Sequence, residues 1–424
     1  MKAYAAMTKD ELHKELEKER AAFESLRAQN LKLDMSRGKP GKAQLDLVMG
    51  IFDVIKTVED CDDEGVDVRN YGTFMGLSSA RRFFAELLGV RFSQVFAAGS
   101  SSLTLMYDTI AKAYTHGLTH SEKPWCKLDT VKFLCPAPGY DRHFRICETF
   151  GIQMICIPMK DDGPDMDQVE KYVKDPAVKG IWCVPKYTNP GGVVYSDAVV
   201  RRFAALKPAA PDFVIMWDNA YCVHEFDGDF VPFLDILSLC EENGRPDMAI
   251  EFASTSKITL PGAGISCIAT SETNMAYMTK LMDAQVISFD KVNQWRHVLY
   301  LKNKAGVLEL MKKHAKVLKP KFDTVLKALE QEISPLGIAQ WNQPKGGYFV
   351  CMDAMSGTAK RTLALCKEAG VTMTSAGATF PYGKDPNDSN IRIAPTLPPV
   401  EELDKAIAVL CVCLKLAALE KLLA

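Results

Sequence analysis

The 424-residue sequence predicts an α/β fold with three layers, in which helices cover both faces of a mainly parallel sheet and a smaller α+β unit lies beside it. Two observations predict this fold. Between residues 94 and 270, short apolar runs alternate with stretches of helical periodicity, and strands buried on both faces are typical of parallel sheets. After about residue 300, long helical stretches precede further short apolar runs, which is typical of an α+β unit.

The first element is an amphipathic helix. Thr8 and Glu11 have the spacing of a capping box, and apolar residues then recur on one helical face. Gly38, Pro40 and Gly41 interrupt regular structure after this helix. The result is a basic loop that can either contact a ligand or connect two domains.

The central part of the chain alternates between strands and helices. We predict strands at 94–99, 130–135, 154–159, 180–185, 213–218 and 249–255, with a further apolar run at 264–270, and helices at 100–114, 140–151, 166–173, 196–206 and 233–242. A long helical stretch at 300–333 and a final helix from Glu401 belong to the second unit. We therefore predict a large domain at 46–300 and a small domain formed by 1–45 and 301–424.

Composition and charge limit the partners of the protein. Hydrophobic residues make up 47% and charged residues 25% of the chain, as in ordinary folded proteins. Lys plus Arg (51) nearly balance Asp plus Glu (53), and no basic stripe is present, so we expect no nucleic-acid partner. The start lacks the apolar core of a signal peptide, and no run is long enough to span a bilayer. Thirteen cysteines without CxxC pairs indicate free thiols in a reducing compartment. We expect a cytoplasmic protein without a membrane partner or a metal site.

Polar or aromatic side chains follow five of the predicted strands. Taken singly, each has an ordinary explanation as a helix cap, a turn or core packing. Ligands in open parallel sheets bind outside the carboxyl ends of the strands, so we expect these residues to converge. In chain order they are Gly99 with Ser100 and Ser101, Tyr140, Asn189, Asp218 with Tyr221, and Ser254 with Ser256 and Lys257.

Together these residues match the needs of pyridoxal phosphate. Backbone N–H groups and hydroxyls at a helix start can hold a phosphate. A lysine amine can condense with the aldehyde, and an aspartate can keep the pyridine nitrogen protonated. An asparagine and a tyrosine can stabilise the phenolic oxygen as an anion.

The motifs also carry a family resemblance that covers nearly the whole chain. NYG (70–72), PGY (138–140), YTNPGG (187–192), DNAY (218–221), STSK (254–257) and NIRIA (390–394) resemble the class I aminotransferases of pyridoxal-phosphate fold type I. LDMSRGKPG (33–41) with STSKITLPGAG (254–264) resembles the MocR-like, or type Ic, aspartate aminotransferases. The resemblance implies the fold type I transferase fold with pyridoxal 5′-phosphate as cofactor.

The resemblance implies a role for each residue around the cofactor. Lys257 would form the Schiff base and move a proton, Asp218 would pair with the pyridinium, and Tyr221 would bind the phenolic oxygen together with Asn189. Tyr140 would stack on the ring. The phosphate would be surrounded by Gly99, Ser100, Ser101, Ser254 and Ser256, with Tyr71 of a neighbouring subunit. This last contact implies a homodimer with shared active sites.

The resemblance also implies the substrates, which are small amino acids and 2-oxo acids. Arg392 would bind the α-carboxylate, next to Asn189. The subgroup favours ping-pong transamination of aspartate or glutamate with 2-oxoglutarate or oxaloacetate, and the second carboxylate then needs Arg142 or Arg37. The alternative is a broader or aromatic, kynurenine-type specificity, for which Trp295, Tyr140 and Tyr187 are candidate pocket residues.

One position departs from the family pattern. Most class I members have a phosphate-binding arginine eight residues after the lysine, and Ile265 stands there in this chain. Lys291 and Arg296 are candidate replacements from either subunit, although a solvated helix face explains them equally well.

Two other classes of function fit the sequence less well. Related transcription factors carry an added DNA-binding domain, and the 45 or so residues before the sheet are too few and insufficiently basic for one. A dinucleotide-dependent oxidoreductase would need a G-x-G-x-x-G motif after a strand, and the sequence has none there.

Overall fold

The computed structural model describes residues 2–424. Its strands are β1 (Leu33–Asp34), β2 (Asp62–Asp63), β3 (Val66–Asp67), β4 (Val95–Ala98), β5 (Lys132–Ala137), β6 (Gln153–Lys160), β7 (Gly163–Pro164), β8 (Val178–Cys183), β9 (Val214–Asp218), β10 (Ala249–Ser254), β11 (Ser266–Thr270), β12 (Ala339–Trp341), β13 (Val350–Ala354), β14 (Val371–Thr372) and β15 (Asn390–Ile393). Its α-helices are α1 (Lys9–Arg27), α2 (Lys42–Asp46), α3 (Ser78–Leu88), α4 (Ser102–Thr115), α5 (Asp141–Thr149), α6 (Met166–Tyr172), α7 (Asp197–Ala204), α8 (Ile236–Glu242), α9 (Glu272–Met282), α10 (Lys291–Leu301), α11 (Lys304–Glu332), α12 (Ala359–Glu368) and α13 (Val400–Leu423).

Eight strands form the large sheet, in the order β4-β11-β10-β9-β8-β5-β6-β7. The pairs from β10 to β6 are all parallel, which confirms the prediction of a mainly parallel sheet. β11 runs antiparallel to both β10 and β4. The chain between β10 and β11 is too short for a crossover helix, so the chain turns back beside the strand that it has just left. This return places Lys257 in a loop at the carboxyl edge of the sheet.

Helices cover both faces of the large sheet, and each face has its own core. Ile215 and Trp217 of β9 pack into one core with Phe203 of α7. Met216, between them in sequence, packs into the opposite core with Phe252 of β10. Since successive strand residues point to opposite faces, β9 must be apolar throughout, as the sequence shows.

A third core lies around the antiparallel sheet β12-β13-β15. It includes Leu12 and Leu16 of α1 with Leu410 of α13. The capping box predicted at the start of α1 is present, because the Glu11 amide donates to Thr8 Oγ1 at 3.3 Å and the Thr8 amide donates to the Glu11 carboxylate at 2.7 Å.

Helix α11 connects the cores. Val307 belongs to a core of the large sheet, and Phe322, further along the same helix, belongs to the third core. We retain the division into a large domain at 46–300 and a small domain at 1–45 and 301–424 as a proposal.

The segment after α1 is fixed to the C-terminal part of the chain. β1 pairs in parallel with β14, and the Met35 amide donates to the Thr372 carbonyl at 2.8 Å. This pairing brings the predicted basic loop, which contains Arg37, to the carboxyl edge of the large sheet. Among residues 2–424, no helix is long and apolar enough to cross a membrane.

Candidate active site

A cavity of about 520 Å³ lies at the carboxyl edge of the large sheet. Eleven of the predicted site residues line it: Arg37, Ser101, Tyr140, Arg142, Asn189, Asp218, Tyr221, Ser254, Ser256, Lys257 and Arg392. A larger cavity, of about 1070 Å³, lies among loops at the amino ends of the strands and contains none of the predicted residues. The strand ends therefore bring most of the predicted residues together, as expected for an open parallel sheet, and Arg37 and Arg392 reach the cavity from outside the large sheet.

Asp218 ends β9 with its carboxylate buried beneath this cavity. His143 Nε2 lies 3.0 Å from Asp218 Oδ2, and the His143 ring stacks on Trp182 with centroids 4.3 Å apart. Tyr140 meets the His143 ring edge-on at 5.0 Å. Asp218 Oδ1 is buried and has no hydrogen-bond partner among the described residues. A buried carboxylate oxygen without a partner is unfavourable, and the protonated ring nitrogen of pyridoxal phosphate would satisfy it.

Lys257 lies on the loop between β10 and β11, with its Nζ 4.9 Å from the centre of the Tyr221 ring. Burial lowers the pKa of the Lys257 amine, and the charge of Asp218 opposes that shift. A lower pKa favours the neutral amine, which is the nucleophilic form. Burial raises the pKa of Tyr221 well above its usual value, so its hydroxyl remains a hydrogen-bond donor.

A buried network of hydrogen bonds holds the backbone of the Lys257 loop. Tyr348 Oη donates to the Lys257 carbonyl at 3.4 Å, and Gln44 Nε2 lies 3.1 Å from both Tyr348 Oη and His314 Nδ1. His314 Nε2 lies 3.1 Å from the Ile258 carbonyl. Because a carbonyl only accepts, this geometry assigns the proton of His314 to Nε2 and leaves Nδ1 to accept from Gln44. Burial lowers the pKa of His314 to about 4, which keeps the ring neutral as the network requires.

The serines form a cradle suited to an anion. Ser101 precedes the first turn of α4 and makes no side-chain capping bond, and Ser101 and Ser102, at this helix start, both line the cavity. Ser254 Oγ donates to Ser256 Oγ at 3.1 Å, and Ser256 Oγ donates to the Ser100 carbonyl at 3.3 Å. A helix N-terminus surrounded by hydroxyls fits a phosphate.

Gly99 and Ser100 line a neighbouring hollow of about 330 Å³ instead of the main cavity. Arg296 lines the same hollow and donates to Asn293 Oδ1 at 2.7 Å. Lys291 is buried, with its Nζ donating to the Tyr71 carbonyl at 3.1 Å. Of the two candidate replacements for the missing cation, Arg296 is the one beside Ser100.

Arg392, on β15, has most of its hydrogen-bonding positions occupied. Its Nη1 lies 3.0 Å from Asp141 Oδ1 and 3.2 Å from Asn189 Oδ1, and its Nε donates to Thr374 Oγ1 at 3.2 Å. The guanidinium lies over the Phe349 ring at 5.0 Å. Asp141 was not predicted as a site residue.

The remaining cations of the cavity are exposed. Arg37 and Arg142 line its outer part together with Lys39. With Lys257 and Arg392, five basic side chains line the cavity, against the two acidic side chains Asp141 and Asp218. The site is therefore suited to a negatively charged ligand.

Two of the three residues suggested for an aromatic pocket lie elsewhere. Trp295 donates through Nε1 to the Asp60 carbonyl at 2.7 Å, away from the cavity. Tyr187 is buried and does not line the cavity, so only Tyr140 of the three contacts it. The prediction of Trp295 and Tyr187 as pocket residues was therefore wrong for the cavity within this chain.

Tyr71 does not contribute to the cavity of its own chain. Its side chain is 79% exposed, an unusual state for a large ring. Other exposed apolar residues lie in the flanking segments, among them Met49, Phe52 and Ile287. Phe52 borders Arg296 at 5.5 Å, so exposed apolar surface adjoins the hollow beside Ser100.

Comparison with known proteins gives a consistent result. The family model for aspartate aminotransferase matches residues 7–424. An aspartate aminotransferase of Corynebacterium glutamicum is 46% identical over 94% of this chain and 92% of its own length. The crystal structure of an aspartate transaminase from Corynebacterium glutamicum matches with a TM-score of 0.95 and 45% identity, over 97% of both chains. The α-aminoadipate aminotransferase of Thermus thermophilus, complexed with N-(5′-phosphopyridoxyl)-L-leucine, has the same fold with a TM-score of 0.75 and 21% identity, over 92% of this chain and 93% of its own.

Proposed function

The chain belongs to the aspartate aminotransferase family, and on that basis we propose that it transfers the amino group of aspartate or glutamate to 2-oxoglutarate or oxaloacetate by a ping-pong mechanism. It is a pyridoxal-phosphate-dependent aminotransferase with the fold type I architecture. The excess of basic over acidic side chains in the cavity is the observation that carries the choice of acidic substrates.

The bound cofactor supplies an aldehyde that condenses with amines and a ring that withdraws electrons from the substrate Cα. Asp218 Oδ1, which has no partner within residues 2–424, would accept a hydrogen bond from the protonated ring nitrogen, while His143 Nε2 lies 3.0 Å from the other oxygen of the same carboxylate. Asn189 and Tyr221 would hold the phenolic oxygen, and Tyr140 would pack against the ring. The serine cradle would hold the phosphate through amides and hydroxyls.

Lys257 has two tasks in this mechanism. Its Nζ would hold the cofactor through the aldehyde until a substrate amine takes its place. The free Nζ would act as the base that accepts the proton of the substrate Cα and, once protonated, as the acid that gives it back. The buried environment that lowers the pKa of Lys257 favours both tasks, because each needs the unprotonated amine.

Arg392 would bind the α-carboxylate through its planar fork, which suits a two-point contact. Arg142 is our first candidate for the side-chain carboxylate, because it follows Tyr140 by two residues, and Arg37 is the second. Both line the outer part of the cavity. A second carboxylate bound there distinguishes an acidic substrate from its uncharged analogues.

Glutamate and glutamine test this proposal because they share a shape and differ in charge. We expect the holoenzyme to prefer glutamate in kcat/KM by roughly tenfold or more, a discrimination accessible to one charged contact. Arg142→Ala should raise the KM for glutamate far more than that for glutamine. Equal effects on both donors would remove Arg142 from this role. A preference of the enzyme for aromatic donors or kynurenine would contradict the proposal that its substrates are acidic.

We also propose a cytoplasmic homodimer with shared sites, in which Tyr71 reaches the phosphate of the partner. The exposure of Tyr71 and its apolar neighbours supports an interface there, and all thirteen cysteines are free, as a reducing compartment allows.

Mixing Lys257→Ala with Tyr71→Ala would give mixed dimers containing one site with both residues. Activity should reappear on mixing two inactive variants. A monomer in solution, or no recovery in dimers shown to be mixed, would contradict the shared site.

A further inference from the structure

We propose that Asp141 competes with the substrate carboxylate for Arg392, so that every carboxylate ligand must displace it. This inference rests on the proposed role of Arg392 in substrate binding. It adds a residue that sets how tightly that arginine holds any ligand, whatever the other end of the ligand carries.

The hydrogen bonds of Arg392 leave little room for a two-point contact. Nε donates to Thr374, and the two protons of Nη1 are directed to Asp141 and Asn189. Among residues 2–424, none bonds to Nη2. A bidentate carboxylate needs N–H groups from two different nitrogens. It can therefore use Nη2 freely, but its second contact must replace a present partner.

Asp141 is the partner that can leave. Its side chain is 34% exposed, whereas that of Arg392 is 7% exposed and Asn189 is buried. Asp141 is the first residue of α5, where a negative charge interacts favourably with the helix dipole. Its neighbour Arg142 is exposed. A carboxylate turned away from Arg392 would thus keep favourable surroundings at the mouth of the cavity.

The competition predicts a uniform effect. Displacing Asp141 weakens every ligand that binds Arg392 by the same factor, because the displaced contact does not involve the far end of the ligand. Arg142, by contrast, would act only on ligands with a second carboxylate. Asp141→Asn should therefore tighten carboxylate binding by roughly three- to tenfold, the range for a partly exposed ion pair.

Succinate and butyrate provide matched probes, since they have the same carbon count and differ in one carboxylate. Titration calorimetry of the holoenzyme would give both dissociation constants for the wild type and for Asp141→Asn. We expect both constants to fall by the same factor. Asp141→Glu, which keeps the charge, and Glu148→Gln, on the same helix with an exposed partner in Arg145, should leave them within about twofold.

Several results would overturn the inference. Unchanged or weaker binding in Asp141→Asn would mean that Asp141 orients Arg392 or is a bystander. A gain for only one probe would place its effect at the far end of the ligand. If the asparagine variant does not fold by circular dichroism, Asp141→Ser removes the same charge and decides the question. Unchanged succinate binding in Arg392→Ala would refute the proposed role of Arg392 itself, and the inference with it.

Discussion

Glu251 gives a quantitative test of the electrostatics beneath the site. It lies within β10, where its side chain is buried, and Asn219 Nδ2 donates to its Oε1 at 2.8 Å. Burial raises the pKa of Glu251 from 4.5 to about 8, although the bond from Asn219 opposes the shift. Near neutral pH the carboxyl is therefore mostly protonated in the folded protein and ionised in the unfolded chain.

The sign of the pH dependence follows from proton counting. Between pH 4.5 and about 8 the folded state binds one proton more than the unfolded state at this residue, so its contribution to stability is present below pH 4.5 and is lost as the pH rises. The difference between a pKa of 4.5 and one of about 8 corresponds to about 5 kcal/mol when complete, at about 1.4 kcal/mol per pH unit.

Glu251→Gln removes this titration and keeps the shape and the acceptor oxygen of the protonated side chain. We expect the free energy of unfolding of the variant to gain about 2 kcal/mol over that of the wild type between about pH 6 and about pH 8. Urea unfolding of the holoenzyme at several pH values, followed by circular dichroism, measures the difference. Glu86→Gln, on an exposed face of α3, should show no such trend. Parallel curves for Glu251→Gln and the wild type would refute the reasoning.

Three further predictions concern single side chains. His143→Asn should lower kcat by roughly tenfold and shift the visible absorption of the bound cofactor, because Asp218 loses its buried partner. Arg296→Ala should weaken cofactor binding by roughly tenfold, measured by absorbance titration of the apoenzyme, because it removes the cation beside Ser100. Burial lowers the pKa values of His297 and His314 to about 4, so the unfolded state binds more protons than the folded state below about pH 6.5. The free energy of unfolding should therefore decrease as the pH falls from about 6.5 to about 4, by up to about 3 kcal/mol for each residue. Urea unfolding of the wild type and of His314→Gln over this pH range would measure the decrease.

Each of these predictions has a contrary result. An unchanged spectrum in His143→Asn would show that Asp218 is oriented without it. Arg145→Ala, an exposed variant on α5, is the control for Arg296→Ala, and equal cofactor affinities in the two would exclude Arg296. An identical acid slope in His314→Gln would show that His314 is not the group being protonated.

The strands and helices of the large sheet could be predicted because their signals are local. Each central strand is apolar throughout and each helix has its own period, so Val214–Asp218 and Ala249–Ser254 appear where the sequence places them. The antiparallel direction of Ser266–Thr270 was not predicted from apolarity. Direction depends on the length of the connection and on which edge is free, and these are properties of the whole sheet.

The same distinction applies to the candidate site. Residues that directly follow strands, such as Asp218 and Lys257, could be found because the strand ends fix their position. His143, Asp141 and His314 could not be found, since each acts through the packing of a helix against a distant strand or loop. His314 and Gln44 meet across 270 positions of sequence, and no local pattern marks such a pair.

The packing of the Lys257 loop supports our proposal that a cation for the phosphate comes from another element. A Cβ at Gly264 would lie 3.0 Å from Thr255 Oγ1 and 3.3 Å from the Leu260 carbonyl, so these neighbours would have to shift by a few tenths of an ångström. Ile265 is buried, and its amide donates to the same Thr255 hydroxyl at 3.0 Å. A long charged side chain at Gly264 would therefore crowd this turn, and one at Ile265 would replace a buried apolar side chain. Arg296, our candidate for this cation, lies on the separate helix α10, where the neighbouring Asn293 donates through Nδ2 to the Gly264 carbonyl at 2.8 Å.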